Sequence, residues 1–142
     1  MSEKKRIIAV YGTLRLGQGN YRYLLDNEES KHLGTTVVDD HLTLIDYAHG
    51  GFPALVQHES GNTPVVVDVF EVSEAIGKRV DSLEGYRESD TYHHFYNRKE
   101  IDTEFGKALI YVMGEDILDL PKIESGDWVK YKQELRSKYQ QV

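Results

Sequence analysis

Cysteine is absent from the 142 residues, so a disulfide framework, a thiolate nucleophile and a cysteine metal site are all excluded. That absence fits a reducing compartment. No apolar run approaches the roughly 20 residues of a membrane span. Only four apolar residues follow Met1-Ser2-Glu3-Lys4-Lys5-Arg6, too few for a signal peptide, and a cytoplasmic protein is expected. Positive charge is scarce: 17 Lys and Arg stand against 24 Asp and Glu, a net charge of -7. The deficit argues against a broad phosphate-binding surface and so against a nucleic-acid partner. His-x-His and His-x-x-x-His spacings are missing, and adjacent His93 and His94 would point to opposite sides of a strand. No metal site is expected from such a pattern. Linkers, repeats and low-complexity tracts are lacking too, so residues 1–142 read as one domain with room for a sizeable core.

What is present begins with Ile7-Ile8-Ala9-Val10-Tyr11, an apolar, β-branched run that reads as a buried strand. It breaks into a loop, Gly12 to Asn20, that carries three glycines. Backbone N–H groups at the end of a rigid strand are then free to face a ligand, and Gly12 lets the chain bend or a ligand come close. The loop lacks the Walker lysine and the dinucleotide fingerprint, and an ordinary strand-to-helix turn would look much the same. Tyr21, Leu24 and Leu25 then follow helical spacing.

Leu33–Val38 and Leu42–Ile45 read as strands joined by a turn at Asp39-Asp40-His41. His49-Gly50-Gly51 reads as a loop, and Pro53 places the next strand at an edge or a bend. Pro64–Val72 is apolar on both faces and is expected inside the sheet. Asp68 interrupts that run; it must reach solvent, pair with a cation or line a polar cavity, and pairing and cavity are equally open. Ser73 is a plausible N-cap for a helix through Ile76, Val80 and Leu83, ended by Gly85. Glu84 falls at the exit, where the helix dipole disfavours an acid. A locally unfavourable choice points to function, although a solvated surface glutamate is the commoner explanation. Tyr92–Ile101 and Lys107–Met113 read as strands around a turn at Glu104-Phe105-Gly106. Tyr86, Tyr92, Tyr96 and Tyr111 cluster there, mostly as half-buried sheet surface. Asp127 caps a last amphipathic helix through Trp128, Tyr131, Leu135 and Tyr139.

Tyr11-Gly12-Thr13-Leu14-Arg15 with Gly17, Gln18 and Asn20 resembles the opening signature of the γ-glutamylcyclotransferase-like family. Gly51-Phe52-Pro53-Ala54-Leu55, Leu83-Glu84-Gly85-Tyr86 and Gly126-Asp127-Trp128 extend the resemblance in order along nearly the whole chain. The Thr13-Leu14 form of the loop is similar to the γ-glutamylamine cyclotransferase and AIG2-like branch. The resemblance implies an α+β fold, a small mixed barrel-like sheet with three flanking helices. It also implies a small γ-glutamyl amide as substrate, with Tyr11, Gly12, Thr13, Leu14, Phe52 and Tyr111 as binding residues. The family proline after the Glu-Gly-aromatic element is replaced here by Arg87-Glu88-Ser89-Asp90, and this acidic rim favours a cationic leaving amine.

The reaction so implied is intramolecular aminolysis: the substrate's α-amine attacks its own γ-carbonyl, releasing 5-oxoproline and an amine. Both reacting groups belong to one molecule, so no cofactor is expected. One carboxyl that takes the ammonium proton and returns it to the leaving nitrogen serves both steps, and Glu84 is the candidate general base and acid. In a partly desolvated cavity its pKa would be raised. Two other classes stand behind the enzyme: a non-catalytic small-molecule binding module, and a regulatory protein with a vestigial pocket. Oligomeric state is not legible.

Overall fold

The computed structural model describes residues 5–19, 21–47, 52–83, 97–113 and 117–140. In chain order the strands are β1 (Lys5–Val10), β2 (Ser30–Val38), β3 (Leu42–Asp46), β4 (Pro53–Gln57), β5 (Val65–Ser73), β6 (Asn97–Thr103) and β7 (Gly106–Val112). The α-helices are α1 (Glu74–Leu83) and α2 (Trp128–Gln140).

β1 is the middle of a five-stranded sheet ordered β2-β5-β1-β7-β6. β-branched residues on both of its faces suit an inner strand. It pairs antiparallel with β5, Val10 opposite Asp68 and Arg6 opposite Val72, and parallel with β7, Ile8 opposite Leu109. Ile8, Ala9, Val67, Val69 and Val72 are fully buried, so β1 and β5 are covered on both faces as their unbroken apolar runs require. β3 and β4 form a second, two-stranded sheet. It joins the first where the Met113 N–H donates to Leu55 O at 2.8 Å. Pro53 is the first residue of β4, a position where its missing N–H costs no ladder bond.

The sheet is barrel-like but open. A bulge between His32 and Gly34 bends β2, and the β6–β7 turn lays Phe105 across it. A Cβ built on Gly34 would lie 2.3 Å from Phe105 Cζ, so the two outer strands approach by van der Waals contact.

Two of the three expected helices form. Ser73 caps α1, its Oγ accepting the Ile76 N–H at 3.2 Å. Asp127 caps α2, its Oδ1 accepting the Lys130 N–H at 3.1 Å. Trp128 is buried, Leu135 half-buried, and the Tyr131 hydroxyl donates to Asp46 of β3. The side chain of Tyr139 lies outside the described residues. The first expected helix is instead one π-type turn, Tyr21–Leu25, with the Asp26 N–H bonded to Tyr21 O at 3.0 Å. A turn at Asn27–Glu29 and the start of β2 at Ser30 follow at once, which leaves too few residues to propagate an α-helix. Among the described residues no helix is long and apolar enough to cross a membrane.

Gly34→Ala should force the Phe105 ring aside and destabilise the protein by about 1–3 kcal/mol, read from urea midpoints. In a Phe105→Ala background the same substitution should cost less, because the clash is removed and only the strain of a side chain at φ +156° remains.

Candidate functional site

After Val10 the chain leaves the sheet, and the Tyr11 side chain turns back onto β7. Tyr11 is buried and donates its hydroxyl to Tyr111 O at 2.7 Å. The loop then closes on itself: the Arg15 N–H bonds Gly12 O at 2.9 Å, and the Tyr21 N–H bonds Thr13 O at 3.2 Å. Leu14 is buried and Thr13 half-buried. Among the described residues, the N–H groups of Gly12 and Leu14 have no hydrogen-bond acceptor. Two such donors at the end of a fixed strand make an anion-accepting edge.

Gly12 is required by packing. A Cβ there would fall 2.5 Å from Cγ of Pro53 and 2.8 Å from its Cδ. The space at Gly12, expected to admit a bend or a ligand, is taken by a proline ring, which brings the start of β4 and its neighbour Phe52 against the loop. Phe52 is half-buried, its ring centroid 5.1 Å from that of Tyr47.

Asp68 pairs; of the two readings left open, pairing is the one seen. Its Oδ2 accepts the Arg15 Nε at 3.2 Å and the Leu16 N–H at 3.0 Å. Its Oδ1 accepts the Thr35 hydroxyl at 2.5 Å and faces His32 Nε2 at 3.1 Å. Arg15 reaches on to Asp127 at 2.8 Å. Burial alone would push the Asp68 pKa up, but the bonds from Thr35, Leu16 and His32 and the charge of Arg15 hold it below the ordinary carboxylate value. Arg15 is therefore spent on two carboxylates and fixes the loop.

Sequence reasoning missed a second charged cluster. Asp81, on the buried side of α1, accepts the Tyr111 hydroxyl at 2.5 Å, Arg6 Nη1 at 2.8 Å and Arg98 Nη1 at 2.7 Å. Arg6 also bonds Glu74 through Nε at 3.1 Å and through its second terminal nitrogen. Desolvation opposes the charge on Arg6, but its bonds to Glu74 and Asp81 outweigh that and keep it firmly protonated. The only sequence signal was the spacing of Gly77 and Asp81 beside Ile76 and Val80, a helical stripe that places a carboxylate at the edge of an apolar face.

Of the predicted site residues the structure gathers Tyr11, Gly12, Thr13, Leu14, Phe52 and Tyr111 around the end of β1. Glu84 lies outside the described residues, as do Asn20, His49-Gly50-Gly51, Gly85 to Asp90, Tyr92, His93, His94 and Tyr96. A separate open depression of about 360 Å³, lined by His41, Gln57, His58 and Glu59, sits at the far end of β4 from Phe52. Among the described residues no group of three or more His, Asp or Glu is arranged to hold a metal ion.

Gly12→Ala should destabilise by about 1–3 kcal/mol through the clash with Pro53, and Pro53→Ala should recover part of that in the double variant. Asp68→Asn should cost about 1.5–3 kcal/mol at pH 7, since Arg15 keeps Asp127 but loses its charge-assisted bond to the buried Asp68. A carboxyl whose folded pKa is depressed stabilises above its unfolded value of about 3.9. That contribution is lost as pH falls through the folded value. The gap between wild type and Asp68→Asn in urea midpoints should therefore narrow at pH 3, and an equal gap at pH 7 and pH 3 would contradict the assignment.

Comparison with known proteins agrees with this layout. The family described as gamma-glutamyl cyclotransferase, AIG2-like, matches residues 8–130, a span that runs from β1 to the first turn of α2. A relative from Vibrio cholerae is 34% identical over 124 residues, 87% of this chain and 96% of its own length. The gamma-glutamylcyclotransferase family protein YtfP of Escherichia coli K12 is 32% identical over 122 residues, 86% of this chain and 95% of its own. The crystal structure of PH0828 from Pyrococcus horikoshii superposes with a TM-score of 0.67 at 28% identity, covering 93% of this chain and 97% of that one. A mouse AIG2-like protein shares the fold at a TM-score of 0.68 and 22% identity, covering 87% and 88% of the two chains. The family match over residues 8–130, together with relatives 34% and 32% identical across most of both chains, shows that the chain belongs to the γ-glutamyl cyclotransferase, AIG2-like family.

Proposed function

We propose that this protein is a γ-glutamylamine-type cyclotransferase of the cytoplasm that releases 5-oxoproline and a free amine from a γ-glutamyl amide. The observation that carries the proposal is the pair of N–H groups at Gly12 and Leu14, unpartnered among the described residues and held at the end of β1. Family membership supplies the reaction class.

The chemistry follows from what the substrate lacks. Its α-amine is an ammonium at neutral pH and must lose a proton before it can attack. Glu84 takes that proton. The amine nitrogen then bonds to the γ-carbonyl carbon, and negative charge builds on the carbonyl oxygen. The amide C–N bond breaks as the proton returns from Glu84 to the leaving nitrogen. Charge is balanced throughout by one shuttled proton, so no nucleophile or cofactor of the protein is consumed. The Gly12 and Leu14 N–H groups serve the substrate α-carboxylate or the developing oxyanion, where fixed donors need no reorganisation. Tyr11, Thr13, Leu14, Phe52 and Tyr111 shape the wall that binds the folded-back glutamyl chain, whose closure is otherwise an entropic barrier. Glu88 and Asp90, close to Glu84 in sequence, favour a leaving amine that is itself cationic, such as the lysine side chain.

The test is 5-oxoproline release from a panel of γ-glutamyl-ε-lysine, other γ-glutamyl amines, γ-glutamyl amino acids and glutathione. Turnover should be greatest with γ-glutamyl-ε-lysine. Glu84→Gln should lower it by at least about 100-fold while the fold is kept. A carboxyl with a raised folded pKa weakens the fold as pH climbs past its unfolded value, so this variant should be as stable as wild type at pH 7, or slightly more so. Retained turnover in Glu84→Gln would remove Glu84 from the mechanism. Tight binding of the panel with no turnover by wild type would instead indicate a binding module.

A further inference from the structure

We propose that Asp81 is a positioning residue that, through Tyr111 and Tyr11, sets the spacing between the loop after β1 and the exit of α1. The inference rests on the reading of Glu84 as the acid that follows Leu83 in the chain.

Two hydrogen bonds run in series from the loop after β1 to the last turn of α1. The Tyr11 hydroxyl, one residue before Gly12, donates to Tyr111 O, and the Tyr111 hydroxyl donates to Asp81. All three residues are buried, at 7%, 2% and 8% exposure, so water does not compete for these bonds. Asp81 is also held by three elements besides its own. Arg6 reaches it from β1, and Arg98 and Tyr111, directly opposite one another across β6 and β7, reach it from the same face of the sheet. Gly77 leaves the space for this: a Cβ there would lie 2.7 Å from Cδ of Arg6.

Stability alone is a weak reason for such an arrangement. Buried ion clusters are often no more stabilising than well-packed apolar residues of similar size. Among the described residues, Asp81 and Glu74 face Arg6 and Arg98 through directional bonds. Directionality is what a reaction that folds a substrate onto itself requires, because small misplacements cost rate steeply. Asp81 stands in the last turn of α1, which ends at Leu83, and lies three residues before Glu84 in sequence. Tyr111 thereby acts on the site by fixing Asp81 and by holding Tyr11.

The experiment measures kcat and KM per folded molecule for Asp81→Asn, Asp81→Glu, Tyr111→Phe and the double variant Asp81→Asn with Tyr111→Phe, with Glu84→Gln alongside. Tyr111→Phe keeps the ring and guards against loss of folding. Asp81→Asn and Tyr111→Phe should each lower kcat by about 10–100-fold with KM changed less than about twofold. Asp81→Glu should not restore the rate, since it keeps the charge but moves the carboxylate. The double variant should be no slower than Asp81→Asn, because the two side chains act as one unit. Wild-type kcat in Asp81→Asn and Tyr111→Phe, beside an inactive Glu84→Gln, would overturn the inference and leave the proposed function standing. Losses that multiply in the double variant would overturn it as well, by showing that Tyr111 acts independently of Asp81. An active Glu84→Gln, or a wild type that turns over none of the panel, would overturn both readings together.

Discussion

The carboxylate of Asp68 is the point on which the candidate site depends. It stands inside the sheet on an otherwise apolar strand and accepts from a guanidinium, a backbone amide and a hydroxyl, with His32 beside it. Each of these partners belongs to a segment that could otherwise move: the glycine loop through Arg15 and Leu16, and β2 through His32 and Thr35. Arg15 then carries the connection to Asp127, which caps α2. A loop with three glycines would be entropically costly to order by its own contacts. Here the order is imposed from beneath by one buried charge.

Both charged clusters lie on the same face of the sheet. Residues directly opposite in a ladder share a face, and alternate residues along a strand return to it. By that rule Arg6, Ile8 and Val10 of β1 stand with Asp68, Phe70 and Val72 of β5, with Tyr111 of β7 and with Arg98 of β6. The other face carries Ala9, Val67, Val69, Ala108, Ile110 and Val112, all buried and all apolar. Packing thus occupies both faces, since Ile8, Val10, Phe70 and Val72 are buried beside the charges, while the two charged clusters share a single face. In a low-dielectric setting those charges are tolerable because each is matched and hydrogen-bonded.

The strands were legible because β-branched runs have few other uses, and inner strands covered on both faces announce themselves by unbroken apolarity. Asp68 was legible as an anomaly, yet its partner was not: Arg15 is 53 residues away in sequence, and no local pattern encodes that contact. Periodicity failed at Tyr21–Leu25, where Tyr21, Leu24 and Leu25 have helical spacing but the chain has room for a single wide turn. The glycine loop was read as a place where the chain bends or a ligand comes close, whereas the close neighbour of Gly12 is Pro53, a contact visible only in three dimensions. Asp81 escaped notice because its place on the stripe with Gly77 names no partner in the sequence. Its meaning comes from Arg6, Arg98 and Tyr111, which three separate strands deliver to it.

β1 and β7 run side by side in the same direction, in a sheet whose other pairings are antiparallel. Two strands so aligned release both of their carboxyl termini at one rim, and the chain must leave that rim by connections longer than a hairpin. Such connections can change in length and composition without altering the register of the strands beneath them. The rim above β1 and β7 is therefore the end of the sheet whose departing segments are long enough to carry a site, while the tight β6–β7 turn at the opposite end has no comparable reach.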